Sequence, residues 1–269
     1  MIYTVQGAPL FAYTGGKSFD PQKPTAVFIH GVLNDHSVWI LQTRYFANHG
    51  WNVLAIDLPG HGKSGGKAPG SVQEAAQAII GLLDAVGVSK AVLIGHSFGS
   101  LIALQATADN PTRVNQLAMV GTAYPMRVSA ILLESSLNDP QKAIQMVNVF
   151  SHSTLAPPPS ALGPGTWLLG GSKALMRRVL ASNPDENIFH IGFKACDQYD
   201  QGEIAISKVI CPILFVLGSK DQMTHPKAAQ GLIKLARAGK VVYVNGGHQL
   251  MVEAPDETLN ALYSFCKIS

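Results

Sequence analysis

Short apolar runs alternate along this chain with longer stretches in which apolar positions recur at helical spacing. Thr25–His30, Asn52–Asp57, Ala91–Ile94, Gln116–Val120, Ile213–Leu217 and Lys240–Asn245 are almost unbroken apolar runs. They lack the every-second-residue alternation of a strand with one wet face, which fits parallel strands covered on both sides. Between them lie helix patterns. Ser71–Val86 opens on Ser71 with Glu74 three residues on, the spacing of a capping box. Phe98–Asp109 stops at Asn110-Pro111, Pro226–Arg237 starts on a proline and stops at Gly239, and Pro255–Cys266 closes the chain. This repeated strand–helix–strand order predicts an α/β fold with a doubly wound, mostly parallel sheet. Ile2–Val5 and Leu10–Tyr13 are expected to form an antiparallel hairpin at its edge.

The alternation breaks between about residues 123 and 206. Met126, Met146, Phe150, Trp167, Met176, Phe189, Phe193 and Tyr199 are spread through this stretch, with Pro157-Pro158-Pro159 near its middle. Arg127–Leu137, Gln141–Phe150, Lys173–Ala181 and Glu186–Cys196 read as helices, and no strand is convincing. The expected organisation is a core of residues 1–122 and 207–269 with a helical cap, residues 123–206, over the carboxyl edge of the sheet. A packing or oligomerisation unit is the plainer reading of the same segment.

The apolar run at Ala91 passes straight into Gly95-His96-Ser97-Phe98-Gly99, and a helix pattern follows at once. A serine turned out sharply between a buried strand and a helix presents its hydroxyl at the strand's carboxyl end. So tight a turn tolerates only small residues two before and two after it. The Phe98 N–H, at the start of the new helix, is then free for a developing oxyanion. The same five-letter pattern recurs at Gly62-Lys63-Ser64-Gly65-Gly66, but there Lys67-Ala68-Pro69-Gly70 follows rather than a helix. That copy reads as a turn.

A serine hydroxyl is a poor nucleophile, so a base must take its proton and a carboxylate must hold the base. Of nine histidines, His248 follows the last strand run and Asp221 follows the one before it. Both therefore fall at the edge where Ser97 lies, in the order Ser, Asp, His. His225 is the rival base; Asp197, Asp200 and Glu203 are rival acids. His96 is expected to turn inward as a structural residue, His30 to shape the loop after the first strand run, and His61 to sit in a turn. His36, His49, His152 and His190 read as surface or cap residues. In His30-Gly31-Val32-Leu33-Asn34 the Val32 N–H is the second candidate oxyanion donor. Asn34, Met126 and Trp167 are candidate substrate-lining residues; Trp39 could join them at the mouth or simply fill the core.

Composition narrows the classes. In 269 residues, 47% apolar and 14% charged, there is ample material for a core, and a net charge of +3 without a basic block gives a nucleic-acid role no support. Three widely spaced cysteines show neither metal-ligand spacing nor a disulfide framework, which fits a reducing compartment. No basic-then-apolar leader opens the chain and no apolar run is long enough to span a bilayer. A cytoplasmic protein, monomer or homodimer, acting on a small molecule without cofactor or metal is the expectation.

His30-Gly31, Asp57-Leu58-Pro59-Gly60-His61-Gly62-Lys63-Ser64, Gly95–Gly99, Gly218-Ser219-Lys220-Asp221 and Gly247-His248 with Glu253-Ala254-Pro255 together resemble the landmarks of the α/β-hydrolase superfamily. They look like its capped esterase and C–C-hydrolase branch. The resemblance implies a triad of Ser97, Asp221 and His248, oxyanion donors at Val32 and Phe98, and carboxylesterase-like chemistry through an acyl-enzyme. A serine at the elbow argues against dehalogenase and epoxide-hydrolase activity. C–C bond hydrolysis, acyl transfer or lyase chemistry on the same site, and a slow-turnover ligand receptor, stay open as alternatives. An NAD-dependent oxidoreductase is suggested only by Gly60-His61-Gly62-Lys63-Ser64-Gly65 with Asp84 beyond it. That helix starts too late, and Asp84 falls inside a predicted helix rather than ending a strand.

Overall fold

The computed structural model describes residues 1–153 and 167–267. Eight strands form one sheet: β1 Ile2–Val5, β2 Ala8–Tyr13, β3 Thr25–Ile29, β4 Asn52–Ile56, β5 Ala91–His96, β6 Val114–Val120, β7 Ile213–Gly218 and β8 Gly239–Val244. Their order across the sheet is β1-β2-β4-β3-β5-β6-β7-β8. All pairs from β4 to β8 are parallel; β1 and β2 form the expected antiparallel edge. Every residue of β3, β4, β5 and β7 is buried, as continuous apolar runs require.

The chain runs from β3 outward to β4 and then returns to β5 on the other side of β3. At such a switch point the loops leaving neighbouring strands diverge and open a crevice at the carboxyl edge. The register aligns the strand ends there: Ile29 pairs with Gly95, His96 with Val120, Val120 with Val216, and Gly218 with Val244.

On the sheet faces lie α1 Ile40–Asn48, α2 Val72–Val86, α3 Phe98–Asp109, α9 Gln230–Leu235 and α11 Pro255–Cys266, with the short α10 Leu250–Glu253 beside the last strand. The α2 N-terminus follows its capping signal with one change. Ser71 Oγ accepts from Glu74 N at 3.1 Å, but the Glu74 carboxylate reaches back to Gly70 N at 2.8 Å rather than to Ser71 N. Helix α3 is buried from Phe98 to Ala108 because it is apolar on every side and packs between the sheet, α2 and α8 Gly202–Lys208.

Four further helices fall between β6 and β7: α4 Ala130–Asn138, α5 Pro140–Ser151, α6 Leu168–Ala181 and α7 Ile188–Gln198. Their Leu132, Ile144, Val147, Met176, Val179, Phe189 and Phe193 share a cluster with Leu33 after β3 and Ala68 after β4. They therefore pack onto loops at the carboxyl edge. Helix α8 crosses residue 206 and packs on α3.

Some elements differ from the sequence pattern. Helix α1, preceded by a 3-10 turn at His36–Trp39, carries no clear apolar stripe because its buried face includes Gln42 and Thr43. Gln42 Nε2 donates to Met251 O at 3.3 Å and Thr43 Oγ1 to Trp39 O at 2.8 Å, while Gln42 Oε1 has no partner among the described residues. The Pro226–Arg237 pattern divides into a 3-10 turn, Pro226–Ala229, and the shorter α9, while Gly239 starts β8 instead of ending a helix.

Candidate active site

Ser97 sits between β5 and α3 at φ 53°, ψ −120°, a left-handed conformation rare for a residue with a side chain. The surrounding chain enforces it. Ser97 N donates to Val120 O at 2.9 Å, and its carbonyl accepts from Ser100 N at 2.8 Å and Ser100 Oγ at 2.6 Å. The flanking glycines are needed for space: a Cβ on Gly95 would run into the Gly99 carbonyl, and one on Gly99 into the carbonyls of Ile29 and His30. The β3 loop is equally close, since a Cβ on Gly31 would lie 3.1 Å from the Ser97 Cβ. Neither Val32 N–H nor Phe98 N–H donates to a protein group among the described residues. Two main-chain donors, one in the loop after β3 and one next to Ser97 in sequence, thus have no protein acceptor among the described residues.

Asp221 follows β7, and its carboxylate is fully used. Oδ1 accepts from Met223 N and Thr224 N, both at 2.8 Å, and Oδ2 lies 2.7 Å from Thr224 Oγ1 and 2.9 Å from His248 Nδ1. Burial alone would raise the Asp221 pKa. The His248 charge and the bonds from His248 and Thr224 outweigh it and hold the carboxyl below its ordinary value. A carboxylate there orients the imidazole with its proton on Nδ1, which leaves Nε2 as the basic atom. Among the described residues Nε2 has no protein partner, and neither has the Ser97 hydroxyl; the two form no hydrogen bond with each other.

The His248 loop is braced from several sides. His248 N and Gln249 N both donate to Ser151 O, at 2.8 and 3.1 Å, so α5 holds the loop directly. The Glu253 carboxylate accepts from Gly247 N at 2.9 Å and from Ser153 N at 3.0 Å. His96 turns inward, as expected, with Nε2 2.9 Å from His248 O and its ring 4.7 Å from the His248 ring. Burial, aided by the neighbouring His248, lowers the His96 pKa to about 3, so it stays neutral.

The remaining sequence candidates fall as follows. His30 lies wholly in the core: Leu58 N donates to its Nε2 at 3.0 Å, so the proton is on Nδ1, 2.8 Å from Gly31 O. His61 is buried in the turn after β4 with its pKa lowered to about 4 by burial. His225 is exposed and caps the following turn through Lys227 N. Asp197 accepts from Val128 N at 3.0 Å, and Asp200 accepts from Gln201 Nε2 at 2.8 Å. Met126 is in the main core cluster, and Trp39 is fully buried against Phe28. Asn34 and Trp167 line one shared cavity, the former buried and the latter 68% exposed. Of the histidines read as surface or cap residues, His152, within residues 123–206, is buried, and His36 is half-buried and pairs with buried Asp57 at 2.6 Å.

Thr224 was not singled out by the sequence pattern. Its signal is local: a threonine three residues after an aspartate can close a turn whose main-chain N–H groups meet the carboxylate. Asp35, His36 and Asp57 are the three ligand-type groups that converge within 4.8 Å among the described residues. Arg178 and Ser37 already occupy Asp35, and His36 and Lys63 N occupy Asp57, so the cluster is internally satisfied.

The model of the alpha/beta hydrolase family matches residues 26–261. The chain belongs to this family. Two curated relatives are dihydrolipoyllysine-residue acetyltransferase components of acetoin cleaving systems. The one from Cupriavidus necator is 35% identical over 36% of this chain and 26% of its own length. The one from Pseudomonas putida is 25% identical over 90% of this chain and 63% of its own. This chain thus spans less than two thirds of either. A pimeloyl-[acyl-carrier protein] methyl ester esterase from Neisseria meningitidis is 26% identical over 92% of this chain and 94% of its own length. Among solved structures, the enol-lactonase from Burkholderia xenovorans superposes with a TM-score of 0.82 at 19% identity, over 98% of this chain and 99% of that one. No described helix of this chain is long and apolar enough to cross a membrane.

Proposed function

We propose that this hydrolase cleaves an ester or related carbonyl compound by nucleophilic catalysis through Ser97, His248 and Asp221. The observation that carries the reading is the Asp221–His248 pair, 2.9 Å apart, at the sheet edge where Ser97 is held in its left-handed turn. His248 Nε2 takes the Ser97 proton as Oγ attacks the carbonyl carbon. The N–H groups of Val32 and Phe98 receive the oxyanion, and each such donor is typically worth a hundredfold or more in rate. Nε2 then passes the proton to the departing alcohol. A water, deprotonated by the same nitrogen, releases the acid from Ser97. Asp221 keeps the Nδ1 proton in place and balances the imidazolium charge. In free enzymes the base–nucleophile hydrogen bond is often long and shortens on substrate binding. Helices α4–α7 act as the cap that keeps bulk water from this edge.

The esterase named among the relatives supports ester chemistry. A fluorophosphonate probe followed by peptide mapping tests it: the adduct is expected on Ser97, together with turnover of p-nitrophenyl esters. An adduct on Ser64, or none with no ester turnover, would overturn the assignment.

A further inference from the structure

Between the loops that carry Val32 and His248 lies a cavity of about 130 Å³ whose walls are mostly apolar, formed by Val38, Leu168, Leu175 and Val252 with Trp167 at its rim. Ser37, Ser172 and two amides, Asn34 and Gln249, interrupt those walls, and the Ser37 hydroxyl is spent on Asp35. Each amide residue is only 5% exposed, yet neither side chain has a hydrogen-bond partner among the described residues. Nor are their polar atoms sealed away, since neither appears among the enclosed unpartnered atoms, so they reach into the cavity. Both belong to loops already described: Asn34 is two residues past Val32, and Gln249 is next to His248. An amide held out of bulk water without a partner costs free energy, a cost that a ligand supplying the missing acceptor would relieve.

We propose that this cavity is a substrate subsite for an uncharged arm carrying a hydrogen-bond-accepting oxygen, a proposal that rests on the hydrolase reading of the neighbouring site. Size bounds the arm, because a cavity of about 150 Å³ admits a benzene-sized group. Chemistry sets the kind. The lining contains no charged side chain. A carboxylate or ammonium entering it would lose its hydration without gaining a counter-charge. Amide N–H groups meet a ketone, ester or ether oxygen with no such cost. A plain hydrocarbon arm fits the walls but leaves both amides unpaired.

Ligand-observed NMR on the full chain tests this without turnover, with 2-octanone, 2,7-octanedione and 7-oxooctanoate as probes. The dione is expected to bind about tenfold more tightly than 2-octanone, the worth of one well-made hydrogen bond. The oxo acid is expected to bind most weakly. In the Asn34→Leu, Gln249→Leu double variant the advantage of the dione should vanish; the single variants Asn34→Leu and Gln249→Met, milder in packing, should each reduce it severalfold. Equal affinities for the dione and 2-octanone, tighter binding of the carboxylate, or an advantage that survives both amide replacements would overturn the proposal. Because the ranking needs no catalysis, it stands or falls separately from the fluorophosphonate adduct on Ser97.

Discussion

Two stretches of this chain carry the same five-residue pattern, Gly62–Gly66 and Gly95–Gly99, and each lies near a buried aspartate–histidine pair. In the first, Ser64 Oγ donates to Asp57 O at 2.6 Å and accepts from Phe11 N at 2.9 Å, so the hydroxyl is spent on tying β2 to the turn after β4. Its outer glycines supply backbone freedom, Gly62 at φ 55° and Gly66 at φ 78°. In the second, the serine itself takes the left-handed angle, at φ 53°, and the glycines merely vacate space. The Ser97 hydroxyl keeps no protein partner among the described residues. The histidine pairs differ in the same way: Asp57–His36 at 2.6 Å closes a satisfied cluster, while Asp221–His248 at 2.9 Å leaves Nε2 open. One shared pattern gives opposite outcomes because the backbone decides which polar atoms remain unpaired. Holding a residue with a side chain at such an angle costs on the order of 1–3 kcal/mol, which the neighbouring packing must offset.

The comparison breaks most directly at the serines. Ser97→Ala is expected to abolish fluorophosphonate labelling and lower kcat on the order of 10⁵–10⁶-fold. Ser64→Ala is expected to retain labelling and instead lower the urea midpoint, by about 1–3 kcal/mol for a donor and an acceptor left unpaired. Reversed roles in the two measurements would refute the contrast. The carboxylates should follow suit. Asp221→Asn is expected to cost about 10⁴-fold in kcat, by favouring the wrong imidazole tautomer. Asp57→Asn is expected to destabilise the fold by about 3–5 kcal/mol, the usual loss on breaking a buried pair, while Ser97 still labels. Stable Asp57→Asn protein without labelling would show that the two regions are one functional unit.

Acid exposes what the two regions share, a buried neutral histidine in each. His61 beside the Asp57 turn and His96 beside His248 keep their proton off until about pH 4 and about pH 3, burial being the main cause. In the unfolded chain both bind a proton near the ordinary value of about 6.5. Below that pH the unfolded state holds more protons than the folded one, so stability falls as pH falls. The expected slope is about 1.36 kcal/mol per pH unit for each histidine, ending only at the folded values. Asp35, Asp57 and Asp221, whose pKa values are depressed, add a further loss once pH drops below the unfolded carboxylate range. Urea midpoints at pH 7, 6 and 5 measure the first part, and His61→Gln and His96→Gln should each remove its own share. A midpoint unchanged from pH 7 to pH 5 would mean that neither histidine is held neutral.

Much of this was legible before any coordinates. The apolar runs located the strands of the parallel sheet, and the covered strands β3, β4, β5 and β7 leave no ambiguity of side; β8, read as covered too, is an edge strand buried only at Val244. The flanks of Ser97, and not its pentapeptide, separated it from Ser64. Helix α1 was illegible because its buried Gln42 and Thr43 hide the stripe, and the Gln42 amide finds its acceptor, Met251 O, far away in the chain. The inward position of His36 was missed for a similar reason, since its partner Asp57 comes 21 residues later. The amides of Asn34 and Gln249 needed the opposite observation, that no partner waits for either.

Thr224 offers the finest test of the comparison, because the Asp57 pair has no counterpart to it. There the additional donors to the carboxylate are the main-chain N–H groups of His36 and Lys63. Here a side-chain hydroxyl lies 2.7 Å from Asp221 Oδ2, 3.0 Å from His248 Nδ1 and 2.9 Å from Gly121 O. With one proton, that hydroxyl donates to the carboxylate or to the carbonyl and accepts from the imidazole. It is a positioning residue. Thr224→Val keeps the shape and removes the hydroxyl, so kcat is expected to fall about tenfold, the scale of a hydrogen bond to a charged group. KM should stay near its starting value. Part of what holds the Asp221 carboxyl low is lost with the hydroxyl. The acid limb of kcat/KM should therefore move to higher pH, and Thr224→Ser should restore both kcat and profile. A role in packing alone would lower the urea midpoint of Thr224→Val and leave kcat and the pH profile where they were.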